Sequence, residues 1–244
     1  MPCCFSALLA VSLHSCSPRF VPAAASQQQY NITAGLPVDS AVLAFYKPYK
    51  LQLDSQMNAI VAESASEIKS ERPEGRLNNL VADAMFEVGK KQGLQFDFVH
   101  TNYYGLRLPL PAGPIKVYRI FELMPFENYL VTVTLSGKDV LELFNYIAGE
   151  GGDPIAGASF VIDGQKASNI KIGGKPFDIK KNYTVLTSDY IANGGDRAFV
   201  YSKAIKRVDS SFKQRDALFQ YLREQQAAGK VIDPKIDGRV SIKQ

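Results

Sequence analysis

The chain has 244 residues, 46% hydrophobic and 21% charged, with a formal net charge of +4. That length and apolar share can build a sizeable core and exclude a low-complexity or disordered chain. The 28 basic residues are scattered rather than clustered, which argues against a nucleic-acid or anionic-membrane surface and suits an anionic small molecule at least as well.

All three cysteines, Cys3, Cys4 and Cys16, fall in the leader, so the body of the chain has no thiol to form a disulfide, ligate a metal or act as a nucleophile. The apolar run from Phe5 to Leu13 is too short to span a bilayer and fits the core of an export signal. It is followed by His14-Ser15-Cys16, and the whole of Leu13 to Cys16 resembles a bacterial lipoprotein processing box, with Cys16 as the lipidated residue. No Lys or Arg precedes Arg19, so the basic start of such a signal is missing, and a secretory signal cleaved elsewhere is the other reading. The expectation is an exported protein, a periplasmic or outer-membrane lipoprotein of a bacterium that touches a membrane only through its lipid. Residues 17–38 are rich in Ser, Pro, Ala and Gln without periodicity and read as a tether.

From Asp39 the pattern turns helical, with Asp39 or Ser40 as cap and Val42, Phe45, Tyr46, Tyr49, Leu53, Met57 and Ile60 at helical spacing. Pro48 is expected to kink or restart this helix. Glu63 to Gly75 reads as a charged loop, and Leu77, Leu80, Val81, Ala84, Met85 and Val88 mark a second helix that Gly93 closes. Phe96 to Val99 is a short strand delivering His100 to Arg107 at its end, where buried strands commonly present polar groups. A Pro-rich loop, a short run at Ile115 and the segment Met124 to Asn128 follow. Val131, Val133 and Leu135 alternate with threonines as in a half-buried strand. Ser136 caps a helix that buries Val140, Leu143, Phe144 and Ile147. The remainder offers strands at Phe160 to Ile162, Ile170 to Ile172 and Tyr183 to Thr187, a helix near Phe212 to Gln226 and a last strand near Arg239 to Ile242. This is an α+β pattern, a single domain over 39–244 behind the tether.

The stretch Thr187 to Phe199 reads as a strand running into a turn, with Asn193, Gly194 and Gly195 expected to supply positive φ. It presents an aromatic, Tyr190, and a carboxylate, Asp196. Taken alone it reads as a plain turn, and Phe126, Tyr190, Arg107 and Asn102 each read as ordinary core or surface residues.

Four stretches together resemble the C-terminal domain of the 5′-nucleotidase family: Asn78 to Met85, Asn102 to Arg107, Pro125 to Asn128 with the strand and helix behind it, and Tyr190 to Asp196. The resemblance implies a mixed sheet with packed helices and a substrate-binding role. Phe126 and Tyr190 would sandwich a nucleobase, Asp196 would accept from ribose hydroxyls, Asn102 would bond the base or sugar edge, and Arg107 would grip phosphate, with Arg76 or Arg72 as a second cation. Tyr103 and Tyr104 stand where the family has glycines, and Arg197 follows Gly-Gly-Asp where it has another.

Whole enzymes of this family hydrolyse phosphate esters with an N-terminal metallophosphatase domain holding two metal ions. This chain has two histidines, His14 and His100, too few for such a centre, and His100 reads as a satisfied strand-end histidine. No cofactor or metal is expected in this chain, and divalent metals are expected in a separate metallophosphatase partner. Three readings follow: the nucleotide- or nucleoside-recognition half of a split nucleotidase, a binding lipoprotein without catalysis, or a hydrolase with an unrecognised site.

Overall fold

A computed structural model describes residues 26–33 and 35–243; Cys16 and the rest of the leader lie outside the described residues. The chain divides into two compact units, Met1–Tyr46 and Lys47–Gln244. No helix among the described residues is long and apolar enough to cross a membrane.

Helix α1 (Ser40–Met57) is capped as expected, with Asp39 Oδ1 accepting from the amides of Ala41 at 2.8 Å and Val42 at 3.1 Å. The helix continues through Pro48 rather than restarting there, and none of its residues is buried, so the apolar spacing does not build a buried face. Ile60, read as its continuation, instead opens strand β1 (Ile60–Ser64), whose neighbours Val61 and Ala62 are in the core.

The folded domain continues through α2 (Arg76–Lys91), β2 (Phe98–His100), β3 (Gly113–Lys116), α3 (Val117–Leu123), β4 (Tyr129–Ser136) and α4 (Gly137–Gly149). Strands β5 (Ile155–Ala156), β6 (Ala158–Asp163), β7 (Lys166–Ile172), β8 (Lys175–Pro176) and β9 (Asn182–Ser188) follow. The chain ends in α5 (Asp189–Ala192), β10 (Lys206–Lys213), α6 (Gln214–Ala227) and β11 (Val240–Ile242). The centre is a five-stranded mixed sheet in the order β10-β4-β9-β2-β5, beside a two-stranded ribbon β1-β3 and a four-stranded sheet β11-β6-β7-β8.

Side-chain alternation sends each central strand into two cores. Phe98, Val131, Val133, Leu135 and Val185 pack with Val140, Leu143, Phe144 and Ile147 of α4 and with Phe160 and Ile170 of the four-stranded sheet. Val99, Leu130 and Leu186 pack on the other face against Leu80, Met85 and Val88 of α2 and Leu218 and Leu222 of α6. Strand β4 is therefore buried on both faces rather than half-buried. The partly buried Thr134 keeps a partner, its Oγ1 lying 2.9 Å from Thr184 Oγ1 of β9.

The helices follow the periodicity that predicts them. In α2 all six predicted apolar positions are buried, and Gly93 takes φ +76° just beyond its end. Helix α4 starts at Ser136, whose Oγ accepts from the Asp139 amide at 3.3 Å.

Strand directions gather three loops at one end of the central sheet. Strands β2 and β9 are parallel, with Phe98 opposite Val185, so the segments leaving their C-terminal ends, from Thr101 and from Asp189, emerge together. Strand β4 is antiparallel to β9 with Leu130 opposite Ser188. The segment entering β4, Met124 to Asn128, therefore lies at the same end.

Candidate functional site

Ser188 begins the first wall of the site by accepting from the Ile191 amide at 3.3 Å, which caps the single turn of α5. Asp189 Oδ1 accepts from the amide of Tyr190 at 2.8 Å and from that of Tyr129 at 3.1 Å, tying α5 to the start of β4. The following turn differs from expectation. Positive φ falls at Gly194 (+88°), Asp196 (+50°) and Arg197 (+65°), while Asn193 ends α5 with φ −88°. Gly195 is needed for space: a Cβ there would lie 2.5 Å from Tyr190 Cε1.

Left-handed backbone at a non-glycine residue costs on the order of 1 kcal/mol, and Asp196 is held there by three hydrogen bonds. Tyr146 Oη donates to its carbonyl at 2.9 Å, Tyr190 Oη donates to Oδ1 at 2.8 Å and Asn102 Nδ2 donates to Oδ2 at 2.6 Å. The bond to Asp196 is the main cause that pushes the Tyr190 hydroxyl above its ordinary pKa, and slight burial adds to it. A carboxylate has about four acceptor positions, so these two side-chain bonds orient Asp196 and leave lone pairs for a further donor.

Asn102 and Arg107 come from the segment after β2. Asn102 is buried and packs so close to Gly105 that a Cβ on the glycine would meet Asn102 Oδ1 at 2.8 Å. The Arg107 amide is anchored to the Leu123 carbonyl at 2.9 Å. Its side chain is exposed and makes no ion pair or hydrogen bond among the described residues. Phe126 and Tyr190 are 46% and 44% exposed, which leaves part of each ring open to a ligand.

Asn102, Arg107, Phe126, Tyr190 and Asp196 all line one cleft of about 160 Å³, together with Tyr104, Gly105 and Asn128. The wall is aromatic, with one oriented carboxylate, two amides and one uncommitted guanidinium. Such a set can stack a flat ring, accept from vicinal hydroxyls and attract an anion. A larger groove of about 560 Å³ on the four-stranded sheet, lined by Ser159, Asn169 and Lys171 among others, is shallow and has no comparable convergence of groups.

Arg76 is elsewhere. Its guanidinium donates to Asp233 Oδ1 at 2.7 Å, to Ser66 Oγ at 2.8 Å and to the Pro234 carbonyl at 2.8 Å, a commitment that fixes the C-terminal segment. Arg72 is nearer, stacked 4.5 Å and 5.0 Å from the ring centres of Tyr103 and Tyr104. It also pairs with Asp153 at 3.5 Å and Glu150 at 4.0 Å.

His100 is fully buried, with Nδ1 2.9 Å from Tyr201 Oη and Nε2 3.2 Å from Asp153 Oδ2. Burial raises the Tyr201 hydroxyl far above its ordinary pKa, which keeps it neutral. With both ring nitrogens engaged, His100 is not available as a ligand, and no group of three or more His, Cys, Asp or Glu among the described residues is placed to hold a metal ion. The donor set among the described residues does not fit a dimetal centre. Tyr104, which stands where the family has a glycine, lines the cleft. Sequence reasoning missed Asn128 as a lining residue and Arg215, whose contacts form across 88 to 91 positions of sequence; no local pattern signals such a contact.

A model of the family described as 5′-nucleotidase, C-terminal domain, matches residues 55–203. A 5′-nucleotidase of Vibrio parahaemolyticus is 30% identical over 194 residues, covering 75% of this chain and 34% of that protein. The 5′-nucleotidase precursor of Thermus thermophilus superposes with a TM-score of 0.69 at 28% identity, over 83% of this chain and 42% of that one. The NAD nucleotidase of Haemophilus influenzae shares the fold, with a TM-score of 0.64 at 16% identity over 84% of this chain and 42% of that one. The chain spans about a third of the length of the curated relatives it matches.

Proposed function

This chain belongs to the 5′-nucleotidase C-terminal domain family, and from that premise we propose that it is the nucleotide- or nucleoside-recognition half of a split, exported 5′-nucleotidase. The observation that carries this reading is the oriented Asp196, bonded by Tyr190 and Asn102 and lining one cleft with Phe126 and Arg107. Phe126 and Tyr190 hold the base between their faces, a contact worth about 1–3 kcal/mol per base and tolerant of base identity. Asp196 accepts from the ribose hydroxyls, and a substrate without them leaves that acceptor unpaired. Arg107 takes the phosphate as a charge-assisted fork, with Arg72 the better second cation on position and Arg76 committed elsewhere.

Hydrolysis belongs in this proposal to a separate metallophosphatase chain, a reading supported by the lack of assembled dimetal donors among the described residues. That partner and the Cys16 lipid anchor are part of the proposal and follow from sequence reasoning.

Calorimetry with adenosine and AMP tests the recognition. Phe126→Ala and Tyr190→Ala are each expected to weaken both ligands roughly 5- to 150-fold, the equivalent of about 1–3 kcal/mol. Arg107→Ala is expected to weaken AMP and spare adenosine. Unchanged binding in both aromatic variants would remove the clamp. Phosphatase assays with added divalent metal test the division of labour, and turnover by the purified chain alone would sink it.

A further inference from the structure

Phe126 is nearly half exposed, and the segment that carries it, Met124 to Asn128, lies between α3 and β4 outside regular structure. A ring in that position gains little fixation from its own packing, so it can serve as a rigid platform only if its backbone is held from behind. Three consecutive residues at the junction of β10 and α6 do this. The Gln214 amide donates to the Asn128 carbonyl at 2.9 Å, and the Lys213 ammonium pairs with the Glu127 carboxylate. Arg215 Nη1 donates to the carbonyls of Met124 at 3.1 Å and Phe126 at 3.3 Å, and Nη2 donates to Glu127 Oε1 at 2.5 Å.

Arg215 is only 5% exposed, and its guanidinium stacks 4.2 Å from the ring centre of Phe121 on α3. Its Nε has no partner. Burying an arginine with one donor unsatisfied is unfavourable compared with an apolar residue of similar volume, and a plain packing role does not explain it. A planar fork that reaches two carbonyls and a carboxylate at once does, because no apolar side chain and no lysine reproduces that geometry.

We propose that Arg215 is the positioning residue of the base platform: from α6 it locks the Met124–Phe126 backbone so that the Phe126 ring is pre-set at the cleft. The proposal rests on the reading of Phe126 as a base platform but makes a claim about Phe126 itself, so the two can fail separately. Gln214 extends the same support, since its Nε2 donates to Thr101 Oγ1 at 2.9 Å, beside Asn102. One helix start thus holds both the loop entering β4 and the segment leaving β2.

The chain contains no tryptophan, so Phe126→Trp places a single indole reporter on the platform. Its fluorescence anisotropy and acrylamide quenching are measured on the full chain, alone and with Arg215→Met or Arg215→Lys, alongside the cooperativity of thermal unfolding and a titration with AMP. In Arg215→Met the anisotropy is expected to fall, the quenching constant to rise about twofold and AMP to bind roughly tenfold more weakly, with unfolding still cooperative. Arg215→Lys is expected to be intermediate at best. An indole equally immobile in Arg215→Met overturns the proposal, whatever AMP does. A loosened indole in a chain that never binds AMP supports the positioning role and counts against the proposed function. If Arg215→Met does not fold, Glu127→Gln at an exposed carboxylate carries the test: lower anisotropy supports the proposal and unchanged anisotropy overturns it.

Discussion

In the proposed recognition, Asp196 is the residue on which ribose selectivity turns. It sits at φ +50°, and its two carboxylate oxygens are oriented by Tyr190 and Asn102. Removing the Tyr190 hydroxyl while keeping the ring, as in Tyr190→Phe, deletes one net hydrogen bond of about 0.5–1.5 kcal/mol and is expected to weaken adenosine correspondingly without abolishing stacking. The pH dependence has a defined sign. The hydroxyl is raised above its ordinary pKa because the neutral form donates to Asp196. The bond is therefore fully present below the ordinary tyrosine pKa of about 10 and is lost only as pH rises through the raised value. Calorimetric titration should find no contribution from Tyr190 ionisation between about pH 6 and 9, and the alkaline loss it causes should be missing in Tyr190→Phe. A loss beginning near neutrality and abolished by Tyr190→Phe would contradict this. Phe126, Tyr190, Asp196, Arg107 and Asn102 are legible in the sequence only through the combined resemblance of four short stretches to the 5′-nucleotidase C-terminal domain, since each alone reads as an ordinary residue. Arg76 shows the limit of that approach: its guanidinium finds Asp233, a partner 157 positions away, which no local pattern registers.

At the scale of elements, the turn after β9 is shaped by contact as much as by conformation. Gly195 is not among the positive-φ glycines, yet a side chain there would meet the Tyr190 ring at 2.5 Å. Gly195→Ala is expected to displace that ring, weakening adenosine about tenfold and destabilising the domain by about 1–3 kcal/mol, the usual range for overpacking. Calorimetry and thermal unfolding check both, and wild-type affinity in this variant would show that the ring tolerates a shift. The helices with strong periodicity, α2 and α4, were readable because each buries a continuous apolar stripe. Strand β10 escaped notice because its sequence, Lys206 to Lys213, is that of a charged edge strand with most residues exposed. Its existence depends on pairing with β4. Helix α1 is the opposite case: apolar residues at helical spacing form a helix but no buried face, since periodicity reports conformation and burial needs a surface to pack on.

For the whole domain, the two cores on either side of the central sheet hold the loops at its end in place. Phe144 is fully buried among Phe98 at 5.4 Å and Phe160 at 5.3 Å between ring centres. Phe144→Ala is expected to cost about 3–5 kcal/mol, lowering the thermal midpoint far more than any cleft variant, and a loss under about 1 kcal/mol would mean that the site collapses around the deletion. By itself the sequence determined the α+β class and the helices with strong periodicity, which are written in local spacing and capping, and its resemblance to the 5′-nucleotidase C-terminal domain pointed to five residues of the cleft. Only the tertiary structure decided that these five share one cleft and that Arg76 lies outside it. It also decided that β4 is buried on both faces and that Arg215 holds the Phe126 loop. Those outcomes depend on strand order and on contacts between residues far apart in the chain, which arise when two surfaces meet and have no signature within either segment.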